Sequence, residues 1–192
     1  MSHEIAKAAE QVACGLTAGT QHTEQASATG RFKIECFDKD GNLKWEAESK
    51  NLVVNVGLQY VAGTALTSVA QITTWYLGLY GAGASNTPAA GDTASSHAGW
   101  TEIVPYSNST RPAATFATAT TANPSVVTNS ASPASFSINA TATVGGAFLI
   151  SNSTKSGTTG TLFSAADFQS PGDRNVVSGD TLNVTYTFSV AG

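Results

Sequence analysis

The stretch from Thr181 to Val190 alternates apolar and polar side chains without a break, and it constrains the fold more than any other feature. Successive side chains of an extended chain point to opposite faces, so a period of two is typical of a half-buried β-strand. The turn Ser178-Gly179-Asp180 precedes the stretch. We therefore expect a long strand at this end of the chain. Its apolar side chains are Leu182, Val184, Tyr186, Phe188 and Val190.

A β-hairpin is predicted where the ordered part of the chain begins. Arg31 to Phe37 alternates in the same way, and Leu43, Trp45 and Ala47 do so after the segment Asp38 to Gly41, in which glycine favours a turn. The sequence DKDGN superficially resembles a calcium loop. It lacks the acidic residue at the required distance and the flanking helices of an EF-hand, so a plain turn is favoured.

Short strand candidates follow with turn signals every ten or so residues. They are Trp100 to Val104, Ala113 to Thr120, Val126 to Asn129, Ala134 to Ala140, Val144 to Ile150, Leu162 to Phe163 and Val176 to Val177. Such spacing is typical of sandwiches, jelly rolls and barrels. We predict an all-β fold, a jelly-roll-like β-sandwich over residues 31–192 with one short helix.

The helix is expected within Asn51 to Tyr80, the longest apolar run of the chain. Asn55 is a reasonable N-cap, and apolar residues then recur at helical spacing and predict a face that covers an open end of the sandwich. Trp75 to Tyr80 is apolar on both faces, as expected of a central strand. The helical apolar residues are Leu58, Val61, Ala62, Ala65 and Leu66.

Two further segments have predicted roles. Residues 1–30 form an N-terminal arm, partly flexible, that either frays in solvent or reaches a neighbouring subunit. Its first part has a helical pattern of apolar residues opposite Glu4, Lys7, Glu10 and Gln11. The apolar residues of the arm pattern are Ile5, Ala8, Ala9, Val12 and Ala13.

The long loop from Gly81 to Gly99 is expected to be functional or to contact a partner.

Charged residues make up only 11% of the 192 residues, against a typical value of about 25%. Proteins with so few charges are usually all-β, and either extracellular or part of an assembly in which uncharged faces are buried against neighbours. The net charge of −4 argues against nucleic acid as a partner.

No signal peptide and no membrane-spanning run are recognised, so we expect the protein to be made and used without crossing a bilayer. Cys14 and Cys36 are expected to be thiols rather than a disulfide.

Candidate chemistry is sparse. The histidines are His3, His22 and His97; two lie in the arm, and none has a second histidine at metal-ligand spacing. His97 lies near Asp92 and Glu102, which suggests a metal or general-base site. A loop histidine that holds Trp100 is favoured. The run from Gly81 to Ser85 lacks the lysine of a phosphate loop. Glu46 and Glu48 share one face of a strand, which is the usual place for exposed carboxylates. We predict no enzyme, and no catalytic, cofactor-binding or metal-binding residues.

Several blocks of sequence, taken in order from about Lys50 onward, resemble the head decoration or cement proteins of podophage-like tailed bacteriophages. The blocks are structural, and none is a catalytic signature, so the resemblance implies no site residues. They are KNLVVNVGLQYVAGTAL, WYLGLYG, HAGWTEI, YSNSTRPA, NSASPASFSINATATVGGAFL and GTLFSAADFQSPGDRNVVSGDTLNVTYTFSV.

The resemblance implies a subunit on the outside of the capsid that binds the major capsid protein, self-associates as a dimer or trimer, and bridges neighbouring capsomers. It would be made in the host cytoplasm and located in the virion. Each copy would need only a modest contact, because many copies act together.

Two alternatives remain. A receptor- or glycan-binding module on a tail or head fibre would use exposed aromatics, for which Trp75, Trp100 and Tyr106 are the candidates, although core packing is favoured for Trp75. A neck or tail-completion protein would differ mainly in the number of copies per virion.

Overall fold

The computed structural model describes residues 26–81, 87–168 and 172–192, which form two antiparallel β-sheets and one helix. The predicted β-sandwich is therefore confirmed, and its jelly-roll topology stays a prediction. In chain order the elements are β1 (Ser27–Phe37), β2 (Leu43–Lys50), β3 (Leu52–Val53), α1 (Asn55–Leu66), β4 (Trp75–Gly81), β5 (Glu102–Ile103), β6 (Ala113–Ala114), β7 (Ser125–Thr128), β8 (Ala134–Ser137), β9 (Ala142–Ile150), β10 (Leu162–Asp167), β11 (Arg174–Val176) and β12 (Thr181–Ala191).

The first sheet, sheet A, is built around β12. It has the order β2-β1-β12, and β7 and β8 pair with successive parts of the other edge of β12. The alternation of β12 therefore places Leu182, Val184 and Tyr186 in the core, as predicted. The β1–β2 hairpin is also confirmed.

Strand β1 begins at Ser27, four residues earlier than the sequence predicts. Ser27 to Gly30 were assigned to the arm because these small residues have no period, yet their backbone pairs with Phe188 to Ala191. A ladder of backbone hydrogen bonds needs no apolar side chains, so the pattern gave no signal for it. The helical arm pattern, His3, His22 and Cys14 all lie outside the described residues.

The second sheet, sheet B, has the order β3-β10-β9-β4, with β5 and β6 on the free edge of β4 and β11 on β9. Strand β4 is central, as predicted. At Gly78 the absence of a side chain is required, because a Cβ atom there would lie 2.1 Å from the Phe148 ring. The main core lies between the sheets, where Phe32, Leu79 and Phe136 belong to one buried cluster.

A second core lies on the outer face of sheet B. The described part of the long loop folds over that face and buries Ala94 and Trp100 against Tyr80 and Phe148. Ala94 of the long loop and Trp100, just after it, therefore belong to the protein's own fold, and a functional or partner-contacting role for the loop stays a prediction. The sequence did not indicate this packing because small loop residues have no period.

Several predicted strands are shorter than their sequence pattern. Only Ala113–Ala114 and Glu102–Ile103 form strands in the regions predicted as Ala113 to Thr120 and Trp100 to Val104. Both are short because each pairs with a different half of β4 and ends where its half ends. Strand β10 is longer than predicted and runs to Asp167. No helix among the described residues is long and apolar enough to cross a membrane.

Candidate functional site

Helix α1 lies unusually close to sheet B at Gly57. A Cβ atom at this position would lie 2.2 Å from the backbone oxygen of Phe163 in β10, so only glycine permits the contact. The same oxygen accepts a hydrogen bond from the Val54 backbone N–H at 3.1 Å. The helix begins at Asn55 with Val54 at the N-cap position and no side-chain cap, so the predicted Asn55 cap is wrong. A backbone contact, rather than a cap, fixes the start of this helix.

The close contact at Gly57 sets which side of α1 faces the core. Tyr60 and Val61, one turn later, are half-buried against the main core. The predicted apolar face, apart from Val61, points outward: Leu58 is 45% exposed and Leu66 is 87% exposed. The prediction that this face is buried is wrong. Helix α1 is apolar on more than one side, and the sequence pattern could not show which of the two sides is buried.

The outward side chains form one continuous apolar stripe. Positions 58, 62, 65 and 66 are three or four residues apart and share one side of a helix. Val69, just after the helix, is 50% exposed. We call this surface the α1 face; its residues are Leu58, Ala62, Ala65, Leu66 and Val69.

The α1 face is free of charge. No Asp, Glu, Lys, Arg or His occurs between Asn51 and Gly91. A hollow of about 660 Å³ adjoins the face, and the residues that line it are also uncharged. An exposed, uncharged apolar surface is typical of a contact with another macromolecule rather than of a reaction site. The hollow is lined by Val56, Gln59, Tyr60, Ala62, Gly63, Leu66, Thr67, Val69, Thr93, Gly160 and Thr161.

A groove of about 530 Å³ opens beside α1, where the two sheets separate, and Ala65 and Val69 of the α1 face lie along its edge. We call it the end groove. Its walls include aromatic rings that contact one another edge to face. The Trp75 ring centroid lies 5.3 Å from the centroids of Tyr60 and Phe163, and the Phe163 centroid lies 5.2 Å from that of Phe188. Phe163 is buried, and the other three rings are half-buried. The main core is thus open to solvent at this end.

The residues proposed as a histidine site do not form one. His97 Nδ1 lies 2.9 Å from the Trp100 backbone oxygen, and the two rings stack at 3.9 Å. Asp92 accepts hydrogen bonds from the Trp100 indole at 2.8 Å and the Ala89 N–H at 3.0 Å. His97 and Asp92 therefore hold Trp100 over sheet B, the arrangement favoured from the sequence. Within the described ranges, no three His, Cys, Asp or Glu side chains are grouped to hold a metal.

Glu102 belongs to a buried ion pair that sequence reasoning missed. Arg111 donates to both carboxylate oxygens, at 2.9 and 2.7 Å, and to the backbone oxygens of Asn152 and Gly157. The Ser156 N–H donates to the same carboxylate at 2.7 Å. The pair joins two loops and has its hydrogen bonds satisfied, so its role is structural. Its partners come from distant parts of the chain, which leaves no local sequence signal.

The remaining candidates have ordinary structural roles. Trp100 and Tyr106 are buried, and Trp75 is half-buried in the end groove. Glu46 and Glu48 lie on the exposed face of sheet A and pair with Lys33 and Arg31. In the calcium-like turn, one Asp38 oxygen accepts the N–H groups of residues 40 and 42 at 2.9 Å each, so it stabilises a plain turn.

No family model, curated protein or solved structure matches the chain.

Proposed function

We propose that this protein is a structural virion protein that binds the outside of a bacteriophage capsid and stabilises the shell of major capsid protein. The observation that carries the proposal is the outward apolar stripe of α1. A helix that turns two leucines to solvent while its opposite side is packed leaves a surface suited to burial by another protein. The sequence blocks that resemble phage cement proteins include this helix.

The strength of such a contact can be worked from the exposed leucines. Full burial of a leucine side chain contributes about 1.5–3 kcal/mol. Scaled by the exposed fractions of Leu58 and Leu66, covering both contributes about 2–4 kcal/mol before the costs of association. A dissociation constant of about 1 mM corresponds to about 4 kcal/mol. One stripe is therefore a weak site, and stable binding needs several copies that act together, as in a dimer or trimer.

The absence of charge from the α1 face favours an uncharged partner surface. Contacts between charged surfaces weaken as salt screens them, whereas burial of apolar surface does not. We therefore expect binding to the shell to persist as the salt concentration is raised. A receptor-binding role that depends on charge would show the opposite trend.

The glycan-binding alternative is less well supported. Sugar recognition needs aromatic faces exposed beside polar groups. Two of the three candidate rings, Trp100 and Tyr106, are buried in the protein's own core, and Trp75 contacts Tyr60 and Phe163. A neck or tail-completion role differs from cementing mainly in copy number.

The proposal is tested by mixing the purified protein with unexpanded heads, expanded heads and tails of the phage that encodes it, then sedimenting the particles. We expect it to sediment with expanded heads. Mass spectrometry of virions should find hundreds of copies per particle, because a cement protein occupies a site on many capsomers. Sedimentation with tails alone, or a handful of copies per virion, would refute the proposal.

A further inference from the structure

The end groove leaves part of the main core uncovered. Tyr60, Trp75, Phe116 and Phe188 line it and are all only half-buried. Aromatic side chains contribute most to stability when they are fully covered. Residues 26–81, 87–168 and 172–192 leave the groove unfilled. This opening needs an apolar occupant.

The size of the groove favours a short segment over a separate protein. Helix α1, which forms one wall, has 12 residues and is about 18 Å long. A stable interface between two free proteins usually buries about 800 Å² on each partner, so a groove bounded by a helix of this length suits a short segment better than a separate protein. A tethered segment needs less contact area, because its tether supplies a high effective concentration.

The chain enters the fold beside the groove. Gly30 of β1 pairs with Phe188, which lines the groove, and Ser27 pairs with Ala191 three residues further along. At about 3.4 Å per residue, the start of β1 is about 10 Å from this wall. Residues 1–25, outside the described ranges, precede this point. The point at which these residues join the described chain is therefore close to the groove.

The sequence before β1 contains a segment with the pattern of a groove-binding helix. Ile5, Ala8, Ala9 and Val12 recur at positions i, i+3, i+4 and i+7, the spacing by which amphipathic helices occupy apolar grooves. Glu4, Lys7 and Glu10 are on the opposite side of the pattern, where they would face solvent. The 13 residues 14–26 would span up to about 43 Å if fully extended, so reach is not limiting.

We propose that the end groove is the docking site of residues 5–13 of the same chain, with Ile5 and Val12 placed among the groove's aromatic rings. Docking covers the open end of the core together with Ala65 and Val69, which line the groove, and it leaves Leu58, Ala62 and Leu66 of the α1 face free for the shell. The groove belongs to the protein's own stability, so this inference is independent of the proposed capsid binding and is tested without a shell.

Native Cys14, one residue beyond the segment, makes a cross-linking test possible. The full-length variant Val69→Cys adds a thiol at the rim of the groove, and Cys36 does not compete because it is fully buried. Under oxidation of a dilute sample, we expect a cross-link between positions 14 and 69 within one chain. The cross-link should be lost when Ile5→Lys and Val12→Lys are added.

The matched control is Leu43→Cys, since Leu43 is 53% exposed and lies at the opposite end of β1, about 34 Å from Ser27. Equal cross-linking of Cys14 to positions 43 and 69 would show that the N-terminal segment has no preference for the groove, and it would overturn the proposal. A cross-link formed only between two chains would identify a second copy as the occupant and overturn it as well.

Hydrogen exchange provides a second measurement that does not depend on disulfide geometry. The Ile72 N–H donates to the Tyr60 hydroxyl at 2.7 Å at the edge of the groove. In the variant Ile5→Lys/Val12→Lys, amides of residues 67–74 should exchange faster than in the wild type. The variant Lys7→Ala/Glu10→Ala, altered on the polar side, should exchange as the wild type does. Unchanged exchange in the first variant would overturn the proposal.

Discussion

Replacing Gly57 by alanine tests whether one backbone contact sets the orientation of α1. In an exposed helix this change normally stabilises by about 0.5–1 kcal/mol, because alanine is the better helix former. Here the added Cβ atom would lie 2.2 Å from the Phe163 backbone oxygen. Phe163 is at a register shift of β10, but Leu162 and Ser164 on either side of it pair with β9, and its oxygen also accepts the Val54 N–H, so its backbone has little freedom to move away. The helix must therefore move away from β10.

The cost of this movement exceeds the gain in helix propensity. Inserting a methyl group into a packed contact typically costs about 1–3 kcal/mol, and separation also weakens the bond from the Val54 N–H to Phe163, worth about 0.5–1.5 kcal/mol. After subtraction of the propensity gain, we expect Gly57→Ala to lower the free energy of unfolding by about 1–3 kcal/mol. For a domain of this size that corresponds to a fall in Tm of about 2–12 °C.

The assay is urea unfolding followed by tryptophan fluorescence, with a thermal scan in parallel. The matched control is Gly63→Ala in the same helix, where the nearest atoms to the added Cβ would be side-chain atoms, those of Val69 at 3.0 Å and of Thr67 at 3.8 Å. A side chain at the surface can adjust, so the control should lie within about 1 kcal/mol of the wild type. Equal stability of both variants would refute the reasoning about the orientation of α1.

Three further predictions concern the interior. Arg111→Met should lower the free energy of unfolding by about 3–5 kcal/mol in urea, because it leaves the Glu102 carboxylate buried and unpaired; a loss below about 1 kcal/mol would contradict this. Tyr186→Phe removes the hydroxyl that accepts hydrogen bonds from Asn51 at 2.7 Å and from Ser164 in the other sheet at 3.2 Å. It should lower the free energy of unfolding by about 1–3 kcal/mol in the same assay, and no loss would show that these bonds are dispensable. Burial raises the pKa of the Cys36 thiol from 9.0 to about 12, so the folded state holds its proton longer than the unfolded state. Urea midpoints should therefore fall between pH 9 and pH 12, and a midpoint that rises there would contradict the assignment.

The strands could be predicted because their sequence pattern and their environment agree. Strand β12 alternates, and one of its faces is buried while the other is polar. Strand β4 is apolar throughout and is central in sheet B. In both cases the distribution of apolar side chains along the strand indicates whether one face or both faces are covered, so no knowledge of the partner strand is needed.

The orientation of α1 could not be predicted, because it depends on a contact with a residue about a hundred positions away. The sequence correctly identified the stripe of Leu58, Ala62 and Leu66 as apolar. The side that contains Gly57 and Tyr60 is equally suited to burial in the core. Only the position of the Phe163 backbone decides between them. The sequence therefore predicted the apolar stripe correctly but predicted that it faces the core, whereas it faces solvent.

Two other features depend on distant partners. The second core needs Trp100 to fold back over Phe148, and the Glu102–Arg111 pair needs the loop around Asn152. Neither arrangement has a period or a local motif. The sequence shows that His97, Asp92 and Glu102 are close together along the chain. It could not show that Glu102 pairs with Arg111 and accepts the Ser156 N–H instead of contacting His97.

The central claim is that the α1 face binds the shell, and a sedimentation measurement with expanded heads tests it most directly. The variant Leu58→Lys/Leu66→Lys places two charges on the face, and Leu43→Lys is the control, since Leu43 is 53% exposed on a different surface. We predict that the wild type and Leu43→Lys sediment with the heads and that the double variant stays in solution, although it unfolds at the same urea concentration as the wild type. Sedimentation of the double variant to the same extent as the wild type would contradict the claim.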